Sequence, residues 1–181
     1  MNRIQKTLII GFLIISGFIV FRIFLMGYYY DFLEYWTLRD KIVWTESNKL
    51  SWEDFSNTID KEGLYAKVGL SSRYNVDDPI LFRSKTVFIP KESYVSDTSD
   101  SFNLRVSQAK FDLLEIYRRQ MAREVDSLRA GSVDYYKPSD FKKMNERYYD
   151  LFESEWEGFR NAENESDYLE KIEKKIQLEL K

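Results

Sequence analysis

The sequence predicts an α+β protein: a small antiparallel sheet packed on a bundle of helices, preceded by one transmembrane helix. Three observations predict it. An uncharged apolar run lies near the N-terminus, period-two and β-branched runs fill residues 64 to 89, and 3.6-residue periodicity governs the chain from about residue 101 onward. Strand and helix signals sit in separate blocks and do not alternate, which is the α+β pattern. With 181 residues, 44% hydrophobic and 17% aromatic, the chain holds enough apolar surface for one ordinary core.

The first element is the apolar run. Thr7 to Phe21 carries no charge, Arg22 interrupts, and Ile23 to Tyr30 continues apolar and aromatic, together about the length of a bilayer-crossing helix. Near a helix end, the long stem of Arg22 lets its guanidinium reach the headgroups. Arg3 and Lys6 precede the run while Asp31 and Glu34 follow it, so the basic flank is expected in the cytoplasm and the rest of the chain outside it. Tyr28, Tyr29, Tyr30, Tyr35 and Trp36 make an aromatic cluster suited to the interface. No small-residue cleavage site follows Gly17, and Leu8 to Phe21 has no polar stripe. Residues 1–30 therefore read as a retained signal anchor, with the membrane as a partner through residues 7–30.

Residues 31–49 read as a membrane-proximal connector with helical content, ending at Ile42, Val43 and Trp44. From Leu64 to Val76 the even positions (Leu64, Ala66, Val68, Leu70, Tyr74) are mainly apolar and the odd ones polar, the period of a half-buried strand. Asp77-Asp78-Pro79 supplies turn chemistry, Ile80 to Ile89 reads as the antiparallel neighbour, and Ser93 to Asp100 as a polar loop. Val106, Ala109, Leu113, Ile116, Tyr117, Gln120, Met121, Val125 and Leu128 then share one face of a helix that ends at Ala130-Gly131. A second helix after Pro138 turns Phe141, Met144, Tyr148, Phe152, Trp156 and Phe159 inward, and a last one carries Tyr168, Ile172 and Ile176.

Composition limits the chemistry. With no His and no Cys, the chain has no imidazole ligand, thiolate site, disulfide or His-assisted nucleophile. Carboxylates, Lys, Tyr and Ser remain. Without the three basic residues of the first 30 positions, 24 basic side chains face 30 acidic ones, a net charge of −6 that argues against nucleic acid as a partner.

Several segments, in order, resemble a known family. Leu50-Ser51-Trp52-Glu53-Asp54-Phe55 is similar to an L-S/T-W-x-D-F opening. The strand from Leu64 to Tyr74 and the Ser93-Tyr94-Val95 turn follow. Leu104 to Arg119 then resembles a central helix of form L-x-H-E-Q-x-H-F-D-I-x-E-x-x-A-R, with Gln108, Phe111, Asp112 and Glu115 in place. Tyr149-Asp150 and the spacing of Tyr168, Ile172 and Ile176 are similar to the ending. The family is that of the bacterial secreted, zinc-protease-like domains known as domain of unknown function nine-two-two. The resemblance covers most of residues 50–176 and implies a zincin-like helix bundle over 50–181, in the periplasm or at the cell surface.

In that family, two His four apart on a helix aim their nitrogens at one zinc, and the Glu between them acts as base on the bound water. Those positions here are Val106, Ser107 and Lys110, and the place of a further His falls near Glu155. Val lacks a lone pair, Ser is a poor ligand, and an ammonium repels a divalent cation. The resemblance thus implies a degenerate, non-catalytic member without metal or cofactor, serving binding or scaffolding.

Rival readings concern the same residues. Ser107-Gln108-Ala109-Lys110 spells S-x-x-K, the nucleophile and base of penicillin-binding proteins, which makes a metal-independent hydrolase the alternative function; the bland reading is two residues on a helix margin. Glu53, Asp54, Asp112 and Glu115 offer carboxylates for acid-base work or a hard cation, against the plainer reading of solvated charges with Glu115 paired to Arg119. Asp112 alternatively braces a neighbouring segment. Trp52, Phe55, Trp156 and Phe159 are candidates to line a peptide groove or simply core. The candidate binding residues are therefore Trp52, Asp54, Asp112 and Glu115, for a protein or peptide partner.

Overall fold

The computed structural model describes residues 3–21, 26–56, 63–74, 81–131 and 136–181. It divides the chain into two compact units, Met1–Arg39 and Asp40–Lys181. The first unit is helical, with α1 over Arg3–Val20 and α2 over Met26–Leu38.

The expectation of a transmembrane helix is corrected here. Among the described residues no helix is long and apolar enough to cross a membrane. The described part of the apolar run falls on two helices. α1 ends at Val20, so its uncharged part from Thr7 rises only about 21 Å against a hydrocarbon core of about 30 Å. α2, over Met26–Leu38, carries Asp31 and Glu34. Arg22 lies outside the described residues. What the first unit does show is apolar surface in the open: Phe12, Leu13, Ile14 and Phe18 on α1 and Tyr28, Phe32 and Trp36 on α2 are all exposed.

The second unit is α+β. Its larger sheet has the order β1 (Ile42–Val43), β4 (Phe82–Phe88), β3 (Val68–Tyr74), all antiparallel. β3 and β4 pair from Val68 opposite Phe88 to Tyr74 opposite Phe82, as the two runs led one to expect; the Asp77-Asp78-Pro79 turn lies outside the described residues. A second, two-stranded sheet joins β2 (Leu64–Tyr65) to β5 (Tyr94–Val95). The single strand read over Leu64–Val76 is thus two strands in different sheets. They separate at Lys67, whose N–H donates to Ser93 Oγ at 2.9 Å and whose carbonyl accepts from Ile89 N at 2.9 Å. The polar loop expected from Ser93 contains β5, because Val95 is buried against the core.

Three helices follow, α3 (Ser101–Ala130), α4 (Pro138–Arg160) and α5 (Glu165–Glu179); α3 and α4 pack on the larger sheet, and α5 packs on α3 and α4. Each start has a polar cap: Asp100 accepts from Phe102 N–H, Asp140 from Lys137 N–H ahead of Pro138, and Asn164 from the amides of Ser166 and Asp167. α3 is the centre of the unit. Phe111 through Tyr117 are all buried, since α3 packs on the sheet as well as on α4 and α5, so its apolar surface is wider than one stripe. Gly158 on α4 admits the Tyr168 hydroxyl of α5, which would come within 2.5 Å of an added Cβ.

One core joins Phe55, Val68, Phe88, Leu113, Phe152, Trp156 and Leu169. A smaller cluster holds Met121, Val125, Phe141 and Met144, with Tyr74 stacked on Phe141. Ser72 of β3 links the sheet to α4 by donating to Asn145 Oδ1 at 2.7 Å.

Candidate functional site

The three motif positions fall together on the first half of α3, beside a cleft of about 200 Å³ between α3, α4 and β2. Val106 and Ser107 form part of its floor, with Tyr65 and Ala66 on one side and Trp156, Phe159 and Arg160 on the other. Ser107 has no exposed surface, and its hydroxyl donates to Asn103 O at 3.0 Å, the usual back-bond of a helical Ser.

Lys110 is half-buried in this cleft. Its Nζ donates to Ala66 O at 3.0 Å and sits 5.5 Å and 5.6 Å from the ring centroids of Tyr65 and Trp156, within cation–π range. Burial lowers its pKa to about 8, and the nearby Arg160 and Lys67 act in the same direction against the opposing pull of Glu153. Ser107 and Lys110 each hydrogen-bond to backbone carbonyls, so neither is given to the other. The donor set does not fit zinc: an ammonium occupies the cleft where a second imidazole would be needed. Among the described residues, no three Asp or Glu side chains group closely enough to hold a metal ion.

One helical face away, Gln108 and Asp112 take up the segment that follows β1. Trp44 Nε1–H donates to Asp112 Oδ1 at 2.6 Å, Gln108 Nε2–H donates to the same oxygen at 2.8 Å, and Lys49 lies 3.8 Å from Oδ2. Gln108 Oε1 accepts in turn from Leu50 N–H at 2.8 Å. The Leu50 segment is therefore fastened to the motif helix through its backbone. Burial pushes the Asp112 carboxyl above its ordinary value, partly opposed by Trp44, Lys49 and Gln108. A second depression of about 320 Å³ opens beside it, with Arg105 and Glu173 on its rim.

Glu115 pairs with Arg119 at 3.0 Å, the expected partner, but it is buried and not on a solvated face. Arg118 grips both its oxygens at 2.7 Å, and Thr86 Oγ1–H of β4 donates to it at 2.8 Å. Arg119 also reaches Glu46 and Leu180 O, and lies 5.1 Å over the Trp44 ring.

Trp52 and Asp54 lie in a single 3₁₀ turn over Trp52–Asp54. Asp54 Oδ2 accepts from Ser51 N–H at 2.7 Å and from Ser51 Oγ at 3.0 Å, closing that turn. Trp52 is half-buried with its ring 5.7 Å from that of Phe55, which packs edge-on to Phe88. The structure thus gathers Trp52 and Asp54 in one turn and Asp112 and Glu115 one helical turn apart on α3, each engaged by neighbouring protein groups.

Sequence reasoning missed Tyr65 and Arg160 as walls of the cleft. A two-residue strand at the edge of a sheet leaves little periodic signal. Glu155 does not face the cleft positions but receives Tyr117 Oη–H and Lys175 Nζ–H, the latter at 2.6 Å, joining α3, α4 and α5. Burial, and then this bond, hold the Tyr117 phenol well above its usual range. Trp156, its neighbour, lines the cleft instead, together with Phe159 and Arg160 of the same helix. No family model, curated protein or solved structure matches this chain.

Proposed function

We propose that this chain is a non-catalytic binding protein related to the zinc-protease-like domains, in which the motif helix keeps its place in the fold and the cleft beside it holds a ligand without turning it over. The observation that carries the reading is the pairing of an open cleft with motif residues that are otherwise engaged: Ser107 is bound to Asn103 O and Lys110 to Ala66 O. The kinship is supported by the helical state of residues 104–119 and by the Leu50 amide bonded to Gln108, two of the retained positions. The exposed apolar side chains of α1 and α2 favour a lipid surface as the resting place of the first unit, since contiguous patches of this kind are normally covered.

The test uses the full chain purified in mild detergent. Stoichiometric zinc is expected to be absent, chelator to leave the thermal midpoint unchanged, and serine-reactive probes to leave Ser107 unlabelled. Tightly bound zinc, or labelling abolished by Ser107→Ala, overturns the reading in favour of catalysis.

A further inference from the structure

Among the described residues, Lys110 is a cation without a counter-ion of its own. An ammonium has three donors, and among the described residues Lys110 spends one hydrogen bond, on Ala66 O, with no carboxylate within ion-pair distance. The acidic group nearest in effect, Glu153, sits beside Arg160 at 3.9 Å and is hydrogen-bonded by Tyr149. Lys67 adds a further positive charge. Positive charge therefore exceeds negative around a cleft whose walls are the Tyr65, Trp156 and Phe159 rings. A cleft of about 200 Å³ is smaller than a site for a drug-sized molecule, so it suits one ring or one side chain.

We propose that this cleft binds a carboxylate attached to a flat apolar group, with the carboxylate on Lys110 Nζ and the apolar part between Tyr65 and Trp156. The same chemistry is offered by a free aryl acid and by the carboxy-terminal residue of a peptide. Arg160, exposed on the last turn of α4, marks the mouth of the cleft and faces the approaching anion. This inference rests on the binding reading above and names the ligand class for that cleft.

Calorimetric titration of the full chain with phenylacetate and with neutral phenylacetamide tests it. The acid is expected to bind at least about tenfold more tightly than the amide, and Lys110→Met to lose at least about tenfold in affinity for the acid alone. Lys110 must be charged to hold the anion, so affinity should fall as pH rises through about 8; Tyr65, Lys67, Tyr149, Glu153 and Arg160 are the other titratable groups near it. A second arm compares Ala-Ala-Phe with its carboxy-terminal amide. Tighter binding of the free tripeptide than of phenylacetate assigns the site to peptide ends, and the reverse order assigns it to free acids. Equal affinity of acid and amide, or no saturable binding below about 10 mM, overturns the proposal without need of a variant. Such a failure with zinc and serine labelling still absent leaves the non-catalytic reading standing, whereas zinc or Ser107 labelling removes that reading whatever the carboxylate does.

Discussion

The indole N–H of Trp44 donates to the buried carboxylate of Asp112 at 2.6 Å, across 68 positions of sequence. That bond ties the segment leading out of β1 to the middle of α3. Because Gln108 shares the same oxygen, the carboxylate serves two donors that would otherwise be stranded.

Replacing this carboxylate separates its shape from its charge. Asp112→Ala leaves the Trp44 and Gln108 donors unmatched and is expected to cost about 2 kcal/mol or more in urea unfolding, while Asp112→Asn keeps an acceptor oxygen and costs about 1 kcal/mol or less. The pH dependence has a definite sign. The folded carboxyl titrates above its ordinary value of 3.8, so the native state holds the proton more firmly than the unfolded chain. The contribution is present below that value and is lost as pH rises through the folded pKa. The stability of the native protein relative to Asp112→Asn should therefore decline as pH is raised from about 3.8 through the mildly acidic range; an increase over that window would refute the assignment.

Glu115 joins β4 to α3 through Thr86 and pairs with two guanidinium groups. Glu115→Ala breaks a buried charged network and should cost about 3 kcal/mol, toward the lower end for such changes because both Arg side chains retain some exposure. Thr86→Val removes one hydrogen bond to a charged acceptor and should cost about 1–2 kcal/mol. Denaturant titration of the two variants and their combination checks both values, and a combined effect smaller than the sum is expected from residues in contact.

Ser107→Ala discriminates a structural Ser from a nucleophile. The lost bond to Asn103 O is of the type that slightly weakens helices, and Ala is the better helix former, so stability should change by less than about 1 kcal/mol. Binding of phenylacetate should be retained, because the cation of the cleft is untouched. A loss of any measured turnover in this variant would restore the hydrolase reading.

α3 shows how much of the fold the sequence made legible and where legibility stopped. The residues assigned to one face include Leu113, Ile116, Met121 and Val125, and all four are buried. Phe111, Leu114 and Glu115 are buried as well, and a single-stripe pattern cannot announce that a helix is covered on several sides. Glu115 has the spacing of a surface pair; only the placement of β4 over it reveals the difference. The transmembrane expectation failed for a related reason. Hydropathy summed over residues 7–30 does not register that the described part of this run falls on two helices, Arg3–Val20 and Met26–Leu38, neither of which is long and apolar enough to span. At the cleft, Lys110 stands at a position that the sequence resemblance singles out, but Tyr65 and Arg160 come from segments whose proximity depends on tertiary packing.

Arg119 has a consequence for how the second unit opens. Its guanidinium touches Glu46 near one end of that unit and Leu180 O near the other, while stacking over Trp44. Fraying at either extremity removes one of the partners that fix this guanidinium in place for the other, so the two tails are coupled through it in local unfolding. Amide hydrogens near β1 and in the last turn of α5 should exchange with solvent as one group, although more than a hundred residues separate them along the polymer.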